Sequence, residues 1–289
     1  MDPIEALTKE WVAKKLPARP KDASKGTFGK VLVFAGSENY PGAAYLACTA
    51  AYRIGAGLVT LATDQTVKII VSRRLPEVTF LSSGEALKKL GEYDVLLVGP
   101  GLGQNNQATE FVKQLCSDYS NNRYKMVIDG DGLNVLSKMG KWWERFWTSQ
   151  NDKATDIILT PHPGEMARLT GLTIAKIQSD RIPVAQYFAK KWQKIIVLKG
   201  AETVIASPDG GIKISPFANP VLATAGTGDV LSGMIAGFLA QGLKPFDGAC
   251  AGVYVHGMAG EMLRKKIGDA GALASDLLPL SPQCIRKLL

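Results

Sequence analysis

"NPVLATAGTGDVLSGMIAGFLAQG", Asn219 to Gly242, decides how the rest of the chain is read. From Val230 the large apolar residues are Val230, Leu231, Met234, Ile235, Phe238 and Leu239, which is helical spacing. The opposite face carries Gly233, Ala236, Gly237 and Ala240, so the helix is expected to pack on both sides. Ahead of it stand Ala225, Gly226, Thr227 and Gly228, almost bare backbone, and then a single carboxylate, Asp229. Gly226 and Gly228 permit a sharp turn that exposes amides. Free N–H groups and the dipole at a helix start make an anion site. A carboxylate fits there if it accepts a proton from a hydroxyl while the amides hold a phosphoryl group. The competing reading of Asp229 is a purely structural first-turn carboxylate.

Outward from this segment, short β-branched runs recur: "KVLVFAGS", "GLVTLAT", "DVLLVGPGLG", "KMVIDGDG", "DIILTPHPGE" and "KIIVLKGAET". Each is bounded by Gly, Pro or polar residues, as strands are. Helix-like stretches such as "AAYLACTAAYRIGAG" and "TIAKIQSDRIPVAQYFAKKW" separate most of them. Near-continuous apolar strands alternating with helices predict an α/β fold, a mostly parallel central sheet with helices on both faces. "TVIASPDGGIKIS" breaks the alternation and reads as a hairpin around Pro208-Asp209-Gly210-Gly211. No linker or repeat divides the chain, and one domain over residues 1–289 is expected. The first 25 or so residues read as a polar lead-in, and "LLPLSPQCIRKLL" as a C-terminal capping helix.

Composition narrows the classes. Of 289 residues, 46% are hydrophobic and 21% charged, which suits a globular chain with a large core. No run approaches the roughly 20 apolar residues of a membrane span, and the start lacks a basic-then-apolar signal. A cytoplasmic protein without membrane partners is expected. Cys48, Cys116, Cys250 and Cys284 are far apart and form no C-x-x-C pair, which removes support for zinc or redox motifs. The formal net charge of +8 suits an anionic ligand or a solvated basic surface. No stripe of basic and aromatic residues appears, which argues against nucleic acid.

Unusual residues gather where strands should end, and ligands of open parallel sheets gather there too. "GPGLG", Gly99 to Gly103, lets backbone approach a ligand, but it is not the G-x-G-x-x-G of a nicotinamide Rossmann site. His162 and Glu165 in "TPHPGE" are presented by a loop that two prolines stiffen. His162 reads as a site residue or a structural histidine, and Glu165 as a first-turn carboxylate or an organiser of Mg²⁺ and phosphates. Lys199 in "VLKGAET" can neutralise phosphate. Asp129, Asp131 and Asn134 offer metal or substrate roles, and Asp131 with Asn134 a helix-capping one. "GSENYPGAAYLA" suits packing against a flat ligand or tight helix packing, and His256 reads as a packed helix residue.

Taken together, "KGTFGKVLVFAGS", "PGAAYLA", "VGPGLG", "DGDGLN", "LTPHPGE", "VLKGAET" and the opening segment resemble the ADP/ATP-dependent (S)-NAD(P)H-hydrate dehydratases, of the ribokinase-like superfamily. The motifs are collinear from about Lys25 to about Gly260. The resemblance implies a ribokinase-like three-layer sandwich and a hydro-lyase of nicotinamide-nucleotide repair. ADP or ATP phosphorylates the hydroxyl of the hydrated ring, and phosphate then leaves to restore NADH or NADPH. It implies Asp229 as the base on that hydroxyl, with Gly226, Thr227 and Gly228 as the anion hole. It implies nucleotide contacts at Lys199, Gly200, Ala201, Glu202, Thr203 and Gly228. Hydrate contacts are implied at Ala43, Gly101, Gly103 and His162, and management of Mg²⁺ at Glu165. A homotetramer without the amino-terminal epimerase domain of some members is expected. The family often has His-Lys-Gly before its first strand, where this chain has Ser24-Lys25-Gly26.

The competing reading within the fold is a small-molecule kinase for vitamin precursors or sugars, whose phosphorylated product persists. A nicotinamide oxidoreductase predicts G-x-G-x-x-G followed by an acidic residue some 20 positions on. A nucleic-acid-binding module predicts clustered basic and aromatic side chains.

Overall fold

The computed structural model describes residues 5–118, 124–145 and 156–289. Their strands are β1 (Glu5–Ala6), β2 (Lys30–Phe34), β3 (Leu58–Ala62), β4 (Thr79–Leu81), β5 (Val95–Val98), β6 (Lys125–Ile128), β7 (Ile157–Leu159), β8 (Ile195–Leu198), β9 (Val204–Ala206) and β10 (Ile212–Ile214). They form one sheet in the order β1-β10-β9-β8-β7-β6-β5-β2-β3-β4. From β8 across to β4 every neighbouring pair is parallel, and β9 pairs antiparallel with both β8 and β10. The hairpin expected around residues 208–211 is therefore present between β9 and β10.

Alternate strand residues serve two separate cores, because side chains on a strand point to opposite faces. Val31, Val33, Val95 and Leu97 join one core with the helices Pro41–Ile54, Thr227–Ala240 and Pro245–Ile267. Leu32, Phe34, Leu96 and Val98 join the other with Gly130–Lys138 and Arg181–Trp192. This is the expected three-layer arrangement, and the central strands β5, β7 and β8 are buried on both faces. Burying each large apolar side chain contributes about 1.5–3 kcal/mol.

The helix Thr227–Ala240 lies against Pro41–Ile54, and glycine sets their distance. A Cβ on Gly233 would stand 2.3 Å from the Ala47 carbonyl oxygen, and one on Gly237 would stand 2.8 Å from that of Ala51. The small face read from the sequence is thus a helix–helix contact too close for side chains. At the far end of this helix, Lys125 Nζ donates to the carbonyls of Leu239 (3.2 Å) and Leu243 (3.0 Å).

The amino terminus departs from the reading of a polar lead-in. Leu7 and Val12 are buried, and β1 pairs parallel with β10. A two-residue strand and a five-residue helix (Lys9–Ala13) are too short to show periodicity. β4 was missed for the same reason, and "TIAKIQSDRIPVAQYFAKKW" divides into two helices at Asp180. The C-terminal helix is present as Ser281–Leu288. Among the described residues no helix is long and apolar enough to cross a membrane.

Candidate active site

Parallel pairing brings the carboxyl ends of β2, β5, β6, β7 and β8 to one rim, and backbone bonds hold the loops beyond them in line. Gly36 N–H donates to Pro100 (2.9 Å), Asp129 to Val98 (3.0 Å), Thr160 to Ile128 (3.1 Å) and Lys199 to Pro161 (2.9 Å). The unusual strand ends of the sequence therefore converge. Ser24-Lys25-Gly26 does not join them. The Lys25 carbonyl packs against Gly57, just before β3 begins, at the opposite end of the sheet.

The centre of the rim is a charge cluster. Lys199 Nζ donates to Asp129 Oδ1 at 2.7 Å and lies 3.6 Å from Glu165 Oε2. Asp129 is 1% exposed and also accepts from the Thr160 hydroxyl (2.7 Å). Burial works against the charge on Lys199, but Asp129, Glu165 and Asp229 outweigh it and hold the ammonium above its ordinary pKa. Asp229 is pushed up to about 7, first by burial and then by the Asp129 charge. Burial likewise raises Glu165, against the pull of Lys199. Asp229 therefore titrates near neutrality, as a general base at pH 7 should.

His162 caps the helix Pro163–Thr170. Its Nδ1 accepts from the N–H groups of Gly164 (3.0 Å) and Glu165 (3.3 Å), while Glu165 Oε2 accepts from the His162 N–H (2.8 Å). An Nδ1 that accepts carries no proton, so the neutral ring holds its proton on Nε2. Burial and then Lys199 lower the pKa of His162, which favours that neutral ring. His162 thus presents a donor to the site and is not a free base.

The glycine loop is held by its backbone and by one side chain. Gly226 has φ +89°, a left-handed conformation open to glycine. The Thr227 hydroxyl is committed to the carbonyls of Leu222 (2.7 Å) and Thr224 (2.9 Å), so this side chain ties the loop down. Gly228 and Asp229 are the second and third residues of the helix, whose N–H groups have no partner within it. A Cβ on Gly228 would stand 3.3 Å from Lys199 Nζ, which places bare backbone beside the ammonium.

Three connected cavities surround the cluster. One, about 470 Å³, runs from Lys199, Gly200, Ala201 and Thr203 past Gly228. A second, about 440 Å³, is lined by Asp129, His162, Glu165, Lys199 and the loop up to Asp229. The third, about 710 Å³, holds Ala43, Gly101 and Gly103 with Asp131, Asn134 and Asp229. Asp229 lines the second and third, and Lys199 the first and second. Most of the site residues anticipated from the sequence are therefore brought together. Glu202 is not: it is exposed, and its N–H is spent on the Phe217 carbonyl (3.0 Å). His162 lies in the middle cavity rather than on the wall shared by Ala43 and Gly101.

Three further residues have contacts that their place in the sequence does not show. Thr160 sits two residues before His162 in a quoted motif and reads as an ordinary strand residue, yet it holds Asp129. His256 lines the 470 Å³ cavity as well as packing in its helix. Asp131 does not cap its helix. It accepts from Gly103 N–H (2.9 Å) and Gln104 Nε2 (2.9 Å), which fixes the "GPGLG" loop.

A parallel sheet between helices, with a helix start and a lysine facing one rim cavity, defines the ribokinase-like class, and known structures agree. A ribokinase-like superfamily protein from Enterococcus faecalis V583 superposes with TM-score 0.87 at 29% identity, over 100% of this chain and 97% of that one. The family is narrower. The NAD(P)H-hydrate dehydratase family model matches residues 31–283, and the chain belongs to that family. The ADP/ATP-dependent NAD(P)H-hydrate dehydratase from Bacillus subtilis, crystallised with ATP and Mg²⁺, has TM-score 0.87 and 33% identity over 100% of both chains. The ADP-dependent (S)-NAD(P)H-hydrate dehydratase of Neisseria meningitidis is 37% identical, over 91% of this chain and 86% of that protein. The bifunctional NAD(P)H-hydrate repair enzyme of Moorella thermoacetica is 42% identical over 98% of this chain. The chain spans about half the length of such bifunctional relatives, 54% in that case.

Proposed function

We propose that this chain uses ADP or ATP to dehydrate the hydrated nicotinamide ring of NADH or NADPH, through phosphorylation of the ring hydroxyl. The observation that carries the reading is the position of Asp229, half-buried where the middle cavity meets the 710 Å³ cleft. The nucleotide lies in the 470 Å³ cavity with its phosphates directed at Lys199 and the amides of Gly228 and Asp229. The hydrate enters the larger cleft along Ala43, Gly101 and Gly103. Asp229 takes the hydroxyl proton as the oxygen attacks the terminal phosphorus. Lys199 and the helix start stabilise the charge on the transferred oxygens, interactions made by fixed groups. Hydroxide is a poor leaving group and phosphate a good one, so loss of phosphate together with a proton from the adjacent carbon restores the double bond.

Mg²⁺ fits this site as a companion of the nucleotide. Asp129, Glu165 and Asp229 face one ammonium, and that excess of negative charge calls for a further cation when phosphates arrive. No ready-made cluster of three metal-binding side chains exists among the described residues. Mg²⁺ usually binds through one or two carboxylates plus substrate phosphates, and Glu165 is the wall carboxylate that would meet it. When bound it neutralises charge on the phosphoryl group.

The test mixes hydrated NADH, protein, Mg²⁺ and either nucleotide while the absorbance of NADH is followed. Recovery that requires nucleotide and vanishes in Asp229→Ala supports the reading. Folded protein that gives no recovery with either nucleotide overturns it, and a stable phosphorylated alcohol would favour a kinase.

A further inference from the structure

The 710 Å³ cleft presents an electrostatic problem. Its walls include five carboxylates, Glu38, Asp64, Asp131, Glu165 and Asp229, and among the described residues no lysine or arginine lines it. On the reading above, its occupant is a dinucleotide with an anionic diphosphate. Two unit charges of like sign about 4 Å apart repel by about 4 kcal/mol near a protein surface, so this substrate needs cations close by.

Two cations are tethered to the outside of the same wall. Arg168 Nε donates to Asn134 Oδ1 at 2.8 Å, and Lys138 Nζ donates to Gln104 Oε1 at 2.8 Å. Asn134 and Gln104 both line the cleft. Both also donate to Asp131 Oδ1, at 3.2 and 2.9 Å. Asp131 in turn holds Gly103 N–H. One hydrogen-bonded chain thus links the two cations to the loop that forms the cleft floor. Arg168 and Lys138 are both exposed, each near the carboxyl end of its helix. Only one donor of Arg168 is engaged by Asn134, and its planar fork suits a diphosphate.

The structure assigns the diphosphate of the hydrated dinucleotide to Arg168 and Lys138, above the rim formed by Asn134 and Gln104. The reacting ring then extends inward to Asp229. This division also explains why the cleft itself needs no cation: the charged part of the substrate stays at its mouth. The assignment rests on the proposed function for the identity of the substrate.

The experiment compares wild type with Arg168→Gln, Lys138→Met and the double variant. Two hydrated substrates are used: the dinucleotide NADPH hydrate, and the hydrate of reduced nicotinamide riboside, which has no phosphate. Loss of one charge-assisted contact should raise KM for the dinucleotide about tenfold, with kcat nearly unchanged. The riboside hydrate and ADP should keep their wild-type KM in every variant. Wild type should lose affinity for the dinucleotide as salt rises, and the double variant should be nearly insensitive to salt. An unchanged dinucleotide KM in the folded double variant overturns the assignment. So does an equal rise for both hydrates, which would mean that the variants had merely loosened the Gly103 loop. Direct titration with NADPH separates this from the proposed reaction. A protein that restores no NADH, yet binds NADPH through these two residues, refutes the chemistry and keeps the assignment. One that restores NADH but binds NADPH equally well without them does the reverse.

Discussion

The two ends of the helix Thr227–Ala240 are built on opposite rules. At its carboxyl end Lys125 reaches across from β6 and satisfies the Leu239 and Leu243 carbonyls. At its amino end the polar groups are kept for something else. Gly226 turns in a left-handed conformation, the first-turn amides face a cavity, and Asp229 is held near neutrality by burial and by the Asp129 charge. One end of the helix has its carbonyls paired, and the other leaves first-turn amides without partners inside the helix. Substitutions at the two ends should therefore separate activity from stability.

The largest effect is expected at the amino end. Asp229→Asn removes the proposed base, and kcat should fall about 10²–10⁴-fold. Stability should not fall with it. The carboxylate has a folded pKa near 7, above its ordinary value of 3.8, so the folded state binds the proton more tightly. Native stability is therefore reduced as pH rises through this window, and the penalty is complete above about pH 7. The asparagine variant should equal or exceed wild type in urea denaturation at pH 8. A loss of stability there would show that Asp229 is a structural residue.

Lys199→Met comes next and should damage both properties. Asp129 would be left buried without its cation, and breaking such a pair costs about 3–5 kcal/mol. Urea denaturation checks this, and adding Asp129→Asn should recover part of the stability without recovering activity.

At the carboxyl end, Lys125→Met takes the side-chain donor from the Leu243 carbonyl, while the Leu239 carbonyl keeps the Gly242 N–H (3.1 Å). About 1–3 kcal/mol of stability should be lost, with kcat within about twofold of wild type at a temperature where the variant is folded. A large kcat loss would join the two ends and break the comparison. The pH dependence returns to the amino end. Wild-type kcat should rise about tenfold per unit up to about pH 7 and then level, because the proposed role of Asp229 requires its ionised form.

Much of this was legible in the sequence because the signals are periodic or backbone-driven. The two-sided helix after Asp229, the parallel strands and the hairpin follow from spacing and turn residues. The convergence of strand ends follows from parallel pairing. What stayed hidden depends on side-chain partners that sequence spacing does not show. Asp131 read as a metal, substrate or helix-capping residue, and its carboxylate turns to Gly103, 28 positions earlier. Thr160 looked like a strand residue and steadies Asp129. Glu202 was carried in by its place within "KGAET", and its positive φ of 53° leaves it outside the cavity that Gly200, Ala201 and Thr203 line. β1 escaped because two residues have no period.

The proposed chemistry requires the ring oxygen to pass to phosphorus. Hydrated NADH carrying ¹⁸O in its hydroxyl should be turned over with unlabelled ADP or ATP, and the released phosphate examined by mass spectrometry. One ¹⁸O is expected in each phosphate formed with NADH. Label that appears in water, with unlabelled phosphate, would contradict it.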